Sequence, residues 1–469
     1  MHTVAVIGGG VAGVSATLHL ARLGYDVTLI EREPHLISGP PFCHLHAGGN
    51  LYREIDDEQC RTLLRQSIDF ARRFPYAVDY RPTVIAVPLQ DKSDAKALLP
   101  RLEMLRNYYR ALVDADSADA RLGDPAHYFR LYSRREIEAL RNTPPPQTQP
   151  QQADEWMCAA AHLIDLERIH YPLVLVQEYG LNLFRLAAGA TLTLQALPNV
   201  TLHRNKRVKE IRKIASSWHI TTDDGLSVQS DYLINAAGFR TGTIDEMLGL
   251  TCRRMVEFKA AYVAKWEQAP QYYPEIIFHG ERGTPRGMGQ FTPYCGGYVQ
   301  LHAMRKDVTL YENGLVSAPT GACQPPLPSS FVRKIEHGWE WSEVDERTRR
   351  AVTYLSRFIP SFSDATTGAK PLYGAQQIPG DDPDLRVAEA AFPLPRYARC
   401  EIVKVSSVGD MCRAITEDIR RCGIVPRRPQ PAPVVNEADI SALARDIALS
   451  RDYPEAMARR NVAVPPPFT

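Results

Sequence analysis

The chain lacks charge imbalance, paired cysteines and long apolar runs, and each shortage closes off a class of protein. Its 469 residues carry 55 Lys and Arg against 54 Asp and Glu, a formal net charge of +1. No block of basic residues occurs, so no nucleic-acid partner is expected. Nine cysteines are scattered without a C-x-x-C pair. An odd count without metal-ligand spacing reads as reduced thiols, and no metal is expected. No run of about 18 apolar residues is present, so no transmembrane segment is expected. The first strand begins at residue 3, which leaves no room for a signal peptide and points to a cytoplasmic protein.

What is present begins at the N-terminus. Residues 3–31 read TVAVIGGGVAGVSATLHLARLGYDVTLIE. A short β-branched run, Val4 to Ile7, has the pattern of a buried parallel strand. Gly8, Gly10 and Gly13 then form G-x-G-x-x-G, a helical stretch runs to Leu23, and a second apolar strand delivers Glu31 to its tip. In a dinucleotide site Gly8 makes the tight turn, Gly10 lets backbone approach a pyrophosphate, and Gly13 lets helix and strand pack closely. Val11 and Ala12 complete the turn, and the helix N-terminus offers unpaired N–H groups to phosphates. Glu31, followed by Arg32, can accept from an adenosine ribose and would repel a 2′-phosphate. The motif is weak alone, but here strand, helix and acid accompany it. No second such fingerprint occurs, so a reductase carrying two dinucleotides is not expected.

Further along, Pro and Gly make residues 34–53 a loop, crossing near the far end of any bound nucleotide. Helices are expected over 57–74, 94–113, 172–197, 329–359, 411–422 and 436–448. Strands are expected at 84–87, before and after Asp224-Gly225, at 232–236, within 255–311 and at 401–405. Val208 is placed at the end of its strand. Asp410 reads as a helix N-cap and Gly423 as the C′ residue.

Three segments together resemble the FAD-dependent oxidoreductases of the D-amino-acid oxidase superfamily: GGGVAG…GYDVTLIER, RVKEI…DDG…SDYLINAAG, and VSSVGDMCRAI. The resemblance implies an α/β fold: a discontinuous Rossmann-like FAD-binding domain (1–76, 155–254 and 368–425) with an inserted α+β substrate domain on a mainly antiparallel sheet (77–154 and 255–367). A proline-rich tail with a short helix (426–469) follows. By position it implies adenine at the Val208 backbone, a close dinucleotide approach at Ala237-Gly238, and a ribityl contact at Gly409 and Asp410. Asp410 can serve as cap, as contact, or as both. The loop CHLHAGGN resembles the family's flavin-facing turn, so His46, Gly48 and Gly49 join the cofactor candidates. In some relatives such a histidine bonds the flavin covalently. The Pro40-Pro41-Phe42 and Asn50 that surround it here depart from those relatives.

The activity implied is removal of a hydride from a small amino acid, amine or hydroxy acid, with electrons passing to oxygen, a quinone or a carrier protein. Two rivals stand beside it: a flavin monooxygenase, and a protein whose FAD is structural and whose role is partner binding. For the substrate face, RGMGQFTPYCGGYVQLHAMR alternates polar and apolar residues along expected strands. Together with His46, the candidate catalytic residues there are Arg286, Tyr294, His302 and Arg305. Gln290 points with them, and Arg286 or Arg305 is expected to clamp a carboxylate. No general base can be named.

Overall fold

The computed structural model describes residues 2–38 and 55–464, and the backbone of 44–45. Thr3–Ile7 is buried because it runs between parallel partners, Asp26–Ile30 on one side and Tyr232–Asn235 on the other. Val200–His203 and Tyr397–Cys400 extend this sheet in parallel, and Ala390–Leu394 closes one edge antiparallel. Helix Val11–Leu23 crosses from the first strand to the second and ends at Gly24, whose φ of 99° is the left-handed C-terminal geometry glycine favours. Helix Val408–Arg421 packs beside it.

The second sheet has nine strands. Its order is Leu315–Ser317, Arg254–Lys265, Tyr298–Ala303, Gly289–Pro293, Glu275–Phe278, Thr83–Pro88, Ile169–Val176 and Phe129–Tyr132, with Thr366–Pro379 also paired to Arg254–Lys265. It is antiparallel except between Glu275–Phe278 and Thr83–Pro88. Helix Trp341–Leu355 covers it with Val344, Ala351, Val352 and Leu355. The expected class is therefore present: a parallel α/β unit and a larger, mainly antiparallel sheet.

Several local expectations are corrected. Residues 169–176 and 368–379, expected in the nucleotide-binding unit, run in the larger sheet. The first is IHYPLVLV, an apolar run that suits a buried strand as well as a helix. Helix begins only at Leu183. Val208 starts its strand rather than ending it. Residues 401–404 are loop and Val405 opens a short 3-10 helix; the strand there is Tyr397–Cys400. Asp410 is not the N-cap; the helix starts at Val408 with Ser407 before it.

Residues 437–462 are packed down. Helix Glu437–Ser450 lies on helix Leu183–Gln195, burying Ile440, Ala444 and Ile447. Asn182 donates to the carbonyls of Met457 and Arg459 at 2.8 and 2.9 Å. Among the described residues no helix is long and apolar enough to cross a membrane.

Candidate active site

The glycine turn is built by exclusion. A Cβ on Gly8 (φ 102°) would lie 2.4 Å from the Ala236 carbonyl oxygen, and one on Gly13 would lie 1.8 Å from the Gly8 oxygen. Both contacts are impossible, so these positions require glycine. A Cβ on Gly10 would meet nothing within 4 Å. Gly10 caps the helix without a side-chain hydrogen bond, and Gly10, Val11 and Ala12 line a cavity. Uncapped N–H groups at a helix start, opening onto a space, suit a pyrophosphate.

Glu31 is 7% exposed. Its Oε2 accepts from the Gly9 N–H, and its Oε1 accepts from the Glu33 N–H at 2.7 Å. Burial raises its pKa, and the two backbone donors offset part of that rise. Arg32 lines the cavity beside it, paired to Glu33 at 3.0 Å and set 5.8 Å from the Phe239 ring centroid. Val208, Ala237 and Gly238 also line the cavity. Gly238 has φ 59°, again left-handed.

The cavity measures about 1250 Å³ and continues from this cradle to the second sheet. Single-ligand pockets run to roughly 300–1,000 Å³, so there is room for a dinucleotide and a further small molecule. Its outer wall includes Glu257, Lys259, Arg282, Gln290, His302 and Gln376. Lys259 contacts Glu257 at 2.5 Å and donates to Gln376 Oε1 at 3.0 Å. Arg282 pairs with the other Glu257 oxygen. Burial opposes ionisation of Glu257, but Lys259 and Arg282 outweigh it and hold its pKa low. Burial lowers the Lys259 pKa despite that partner.

His302 Nδ1 lies 3.2 Å from Gln290 Oε1, and Gln290 Nε2 donates to Glu275 Oε1 at 2.7 Å. A carboxylate only accepts, so it turns the Gln290 amide nitrogen towards itself and the amide oxygen towards His302. That arrangement favours a proton on Nδ1 of the neutral ring. Behind Glu275, Arg81 lies at 3.8 Å and donates to Asp79 at 3.0 Å. Asp79 in turn accepts from the Val462 N–H.

The remaining sequence candidates separate. Arg286 is exposed and donates to the Gln90 carbonyl at 3.2 Å. Arg305 pairs with Asp307 at 2.8 Å and sits 4.7 Å from the Tyr354 ring centroid. Tyr294 donates to Gln300 at 3.3 Å in a separate small cavity. None of the three lines the large cavity, so the clamp expected at Arg286 or Arg305 is not placed there. Gly409 and Asp410 are also off its wall. Asp410 is the third helical residue, where Arg65 reaches it at 2.6 Å, Gln66 at 2.7 Å, and Arg413 contacts its other oxygen. Ile402 to Val405, just before that helix, line the cavity instead. His46, Gly48 and Gly49 lie outside the described residues.

Sequence reading missed Glu257, Lys259 and Arg282. For the first two the signal was in RMVEFKAAYVAK, where charged residues at alternate positions interrupt an apolar strand and therefore share a face; Arg282 sits in a turn and carried no such signal.

A glycine cradle on a parallel sheet, joined by one cavity to the polar face of a second sheet, defines a two-unit nucleotide-dependent oxidoreductase. The chain belongs to the FAD dependent oxidoreductase family of D-amino-acid oxidase type, which matches residues 3–384. No curated protein matches the chain in sequence. Among solved structures, L-proline dehydrogenase from P. horikoshii is similar with a TM-score of 0.57 and 16% identity, over 92% of this chain and 95% of that one. Glycine oxidase from Geobacillus kaustophilus is similar with a TM-score of 0.54 and 13% identity, over 92% of this chain and 100% of that one. L-amino acid deaminase from Proteus vulgaris gives 0.56 and 12%, over 94% and 96%. At these identities the likeness is one of fold.

The protein is thus an FAD-dependent oxidoreductase. Bound FAD supplies the acceptor for a substrate's electrons. The residues present fit it: the glycines leave the space it needs, and Glu31 offers a ribose acceptor.

Proposed function

We propose that the protein oxidises a small anionic amino or hydroxy acid at the C–H bond alpha to its nitrogen or oxygen. The observation that carries this reading is the charge of the outer wall. Among its described residues Lys259, Arg282, Arg386 and Lys404 stand against Glu257, Glu281 and Asp384, four cations to three carboxylates. One excess positive charge in a recess suits a monoanion. The similar structures, which include an oxidase, a dehydrogenase and a deaminase of amino acids, support the same class. Electron transfer would run through the FAD, with oxygen, a quinone or a carrier protein as the final acceptor. Membership of an oxidoreductase family weighs against a purely structural FAD.

In this reading Arg282 replaces Arg286 and Arg305 as the carboxylate-binding arginine. Gln290 fixes the His302 ring so that Nε2 can take a proton from the substrate amine or hydroxyl. The wall excludes water from the reacting bond. The test is anaerobic bleaching of the flavin absorbance against a panel of amino acids, hydroxy acids and uncharged amines. An acid should bleach fastest. Fastest bleaching by an uncharged amine would remove the anionic assignment and leave the FAD assignment standing.

A further inference from the structure

Away from the cavity's open end, two cysteines that are 71 positions apart in sequence meet. Cys252 follows helix Thr241–Met247, and Cys323 lies in the loop between strand Leu315–Ser317 and helix Ser329–Glu336. Backbone bonds bracket the meeting point: Cys252 N–H donates to the Ala322 carbonyl at 3.3 Å, and Ala318 N–H donates to the Arg254 carbonyl at 2.8 Å. The two sulfurs and a carboxylate oxygen of Asp245 lie within 4.8 Å of one another, and the thiols share a hydrogen bond.

Three such ligand atoms could suggest a metal, but Asp245 is already spent. Its Oδ1 accepts from the Tyr397 hydroxyl and from Asn235 at 3.3 Å. Its Oδ2 accepts from Arg399 at 2.9 Å, with Arg254 at 4.0 Å. A cation there would face two guanidinium groups. The Cys323 thiol donates to the Leu250 carbonyl at 3.3 Å, with its sulfur still facing Cys252.

We propose that Cys252 and Cys323 are a redox pair that closes to a disulfide with hydrogen peroxide as oxidant. Cys252, the half-exposed member, attacks as thiolate and becomes a sulfenic acid with release of one water. The Cys323 sulfur then displaces the hydroxyl, forming the S–S bond and a second water. The two thiols lose two electrons and two protons, and the peroxide is reduced to water. Approach to a bonding distance of about 2.05 Å needs side-chain rotation, since the two backbones are already paired.

The bridge would act on the cavity wall. The Cys323 loop clasps helix Thr241–Met247: Glu246 accepts from the Cys323 and Gln324 N–H groups at 3.0 and 2.9 Å, and Gln324 accepts from the Thr243 N–H at 3.0 Å. A Cβ on Gly242 would lie 2.4 Å from the Cys323 carbonyl oxygen, so loop and helix are in close contact. Thr243, Ile244 and Met247 of that helix line the cavity. Tethering the loop therefore clamps one wall of the nucleotide end.

The test treats the FAD-loaded full-length protein with hydrogen peroxide, then maps peptides without reductant. The expected product is a Cys252–Cys323 cross-linked peptide, lighter than the free pair by two hydrogens and separated by dithiothreitol. FAD release in mild denaturant should be slower after oxidation, and Cys252→Ser, at a half-exposed position, should abolish both effects. Recovery of both thiols free, a sulfinic or sulfonic acid on Cys252, or stoichiometric zinc protecting the pair would overturn the proposal. A bridge that leaves FAD release unchanged would overturn the clamp.

Discussion

Glu31 sits buried at the tip of its strand, held by two backbone N–H groups, with its carboxylate on the cavity wall. Glu31→Lys replaces an acceptor with a donor at the position read as the ribose site. The expected result is colourless or pale protein, measured as the FAD fraction retained after desalting. At the other end, Arg282→Lys should raise KM by at least about tenfold, because a hydrogen bond to a charged group is worth about 1.5–3 kcal/mol. Arg305→Lys should leave KM unchanged, since Arg305 lies off the cavity wall. Equal effects from both would dismiss the outer-wall assignment. His46 has a separate test: acid precipitation should leave the yellow colour in the supernatant, and colour in the pellet that His46→Ala releases would establish a covalent bond.

Elements here stand on contacts that tolerate little change. Gly13→Ala would drive a methyl to 1.8 Å from the Gly8 oxygen, prising helix Val11–Leu23 off its strand. FAD binding should be lost, read from the absorbance spectrum. Asp410 anchors helix Val408–Arg421 to helix Asp57–Arg73 through Arg65 and Gln66. Burial alone would raise its pKa, but Arg65, Gln66 and Arg413 outweigh it and hold it below the ordinary carboxylate value. A depressed folded pKa gives stability that is present above the unfolded pKa of about 3.9 and is lost as pH falls through the folded value. Asp410→Asn should therefore lower Tm at neutral pH, and the gap from the unmutated protein should close below pH ~4. A gap independent of pH would mean that packing, not charge, is what Asp410 supplies. At this scale the sequence was readable where period and punctuation agreed, as in the strand, glycine turn and helix of residues 3–23. It misled at 172–176, expected as helix, because a short apolar run carries no period that separates strand from helix.

The whole molecule depends on its last residues as well as its first. Helix Glu437–Ser450 buries Ile440 and Ile447 against helix Leu183–Gln195, and Glu437 pairs with the buried Arg185. Full burial of such side chains is worth about 1.5–3 kcal/mol each. Removing residues 435–464 should destabilise the fold by several times ~1 kcal/mol and leave a buried cation without its partner, visible as a lower Tm or loss of soluble protein. Unchanged Tm would show the segment to be an appendage.

By itself the sequence determined the nucleotide end of this protein. Backbone geometry there depends on neighbours a few residues apart, so Gly8, Gly10, Gly13 and Glu31 could be read as one device from their spacing alone. Which residues line the cavity's outer wall was decided only by tertiary structure. Lys259 and His302 come from different strands and Arg282 from the turn between Glu275–Phe278 and Gly289–Pro293, and which of them share the cavity depends on register and sheet order. A one-residue change of register would turn Lys259 or His302 to the opposite face. Arg286 and Arg305 stood out in sequence beside expected strands, but long-range packing leaves both off the cavity wall, Arg305 against Asp307 and the Tyr354 ring.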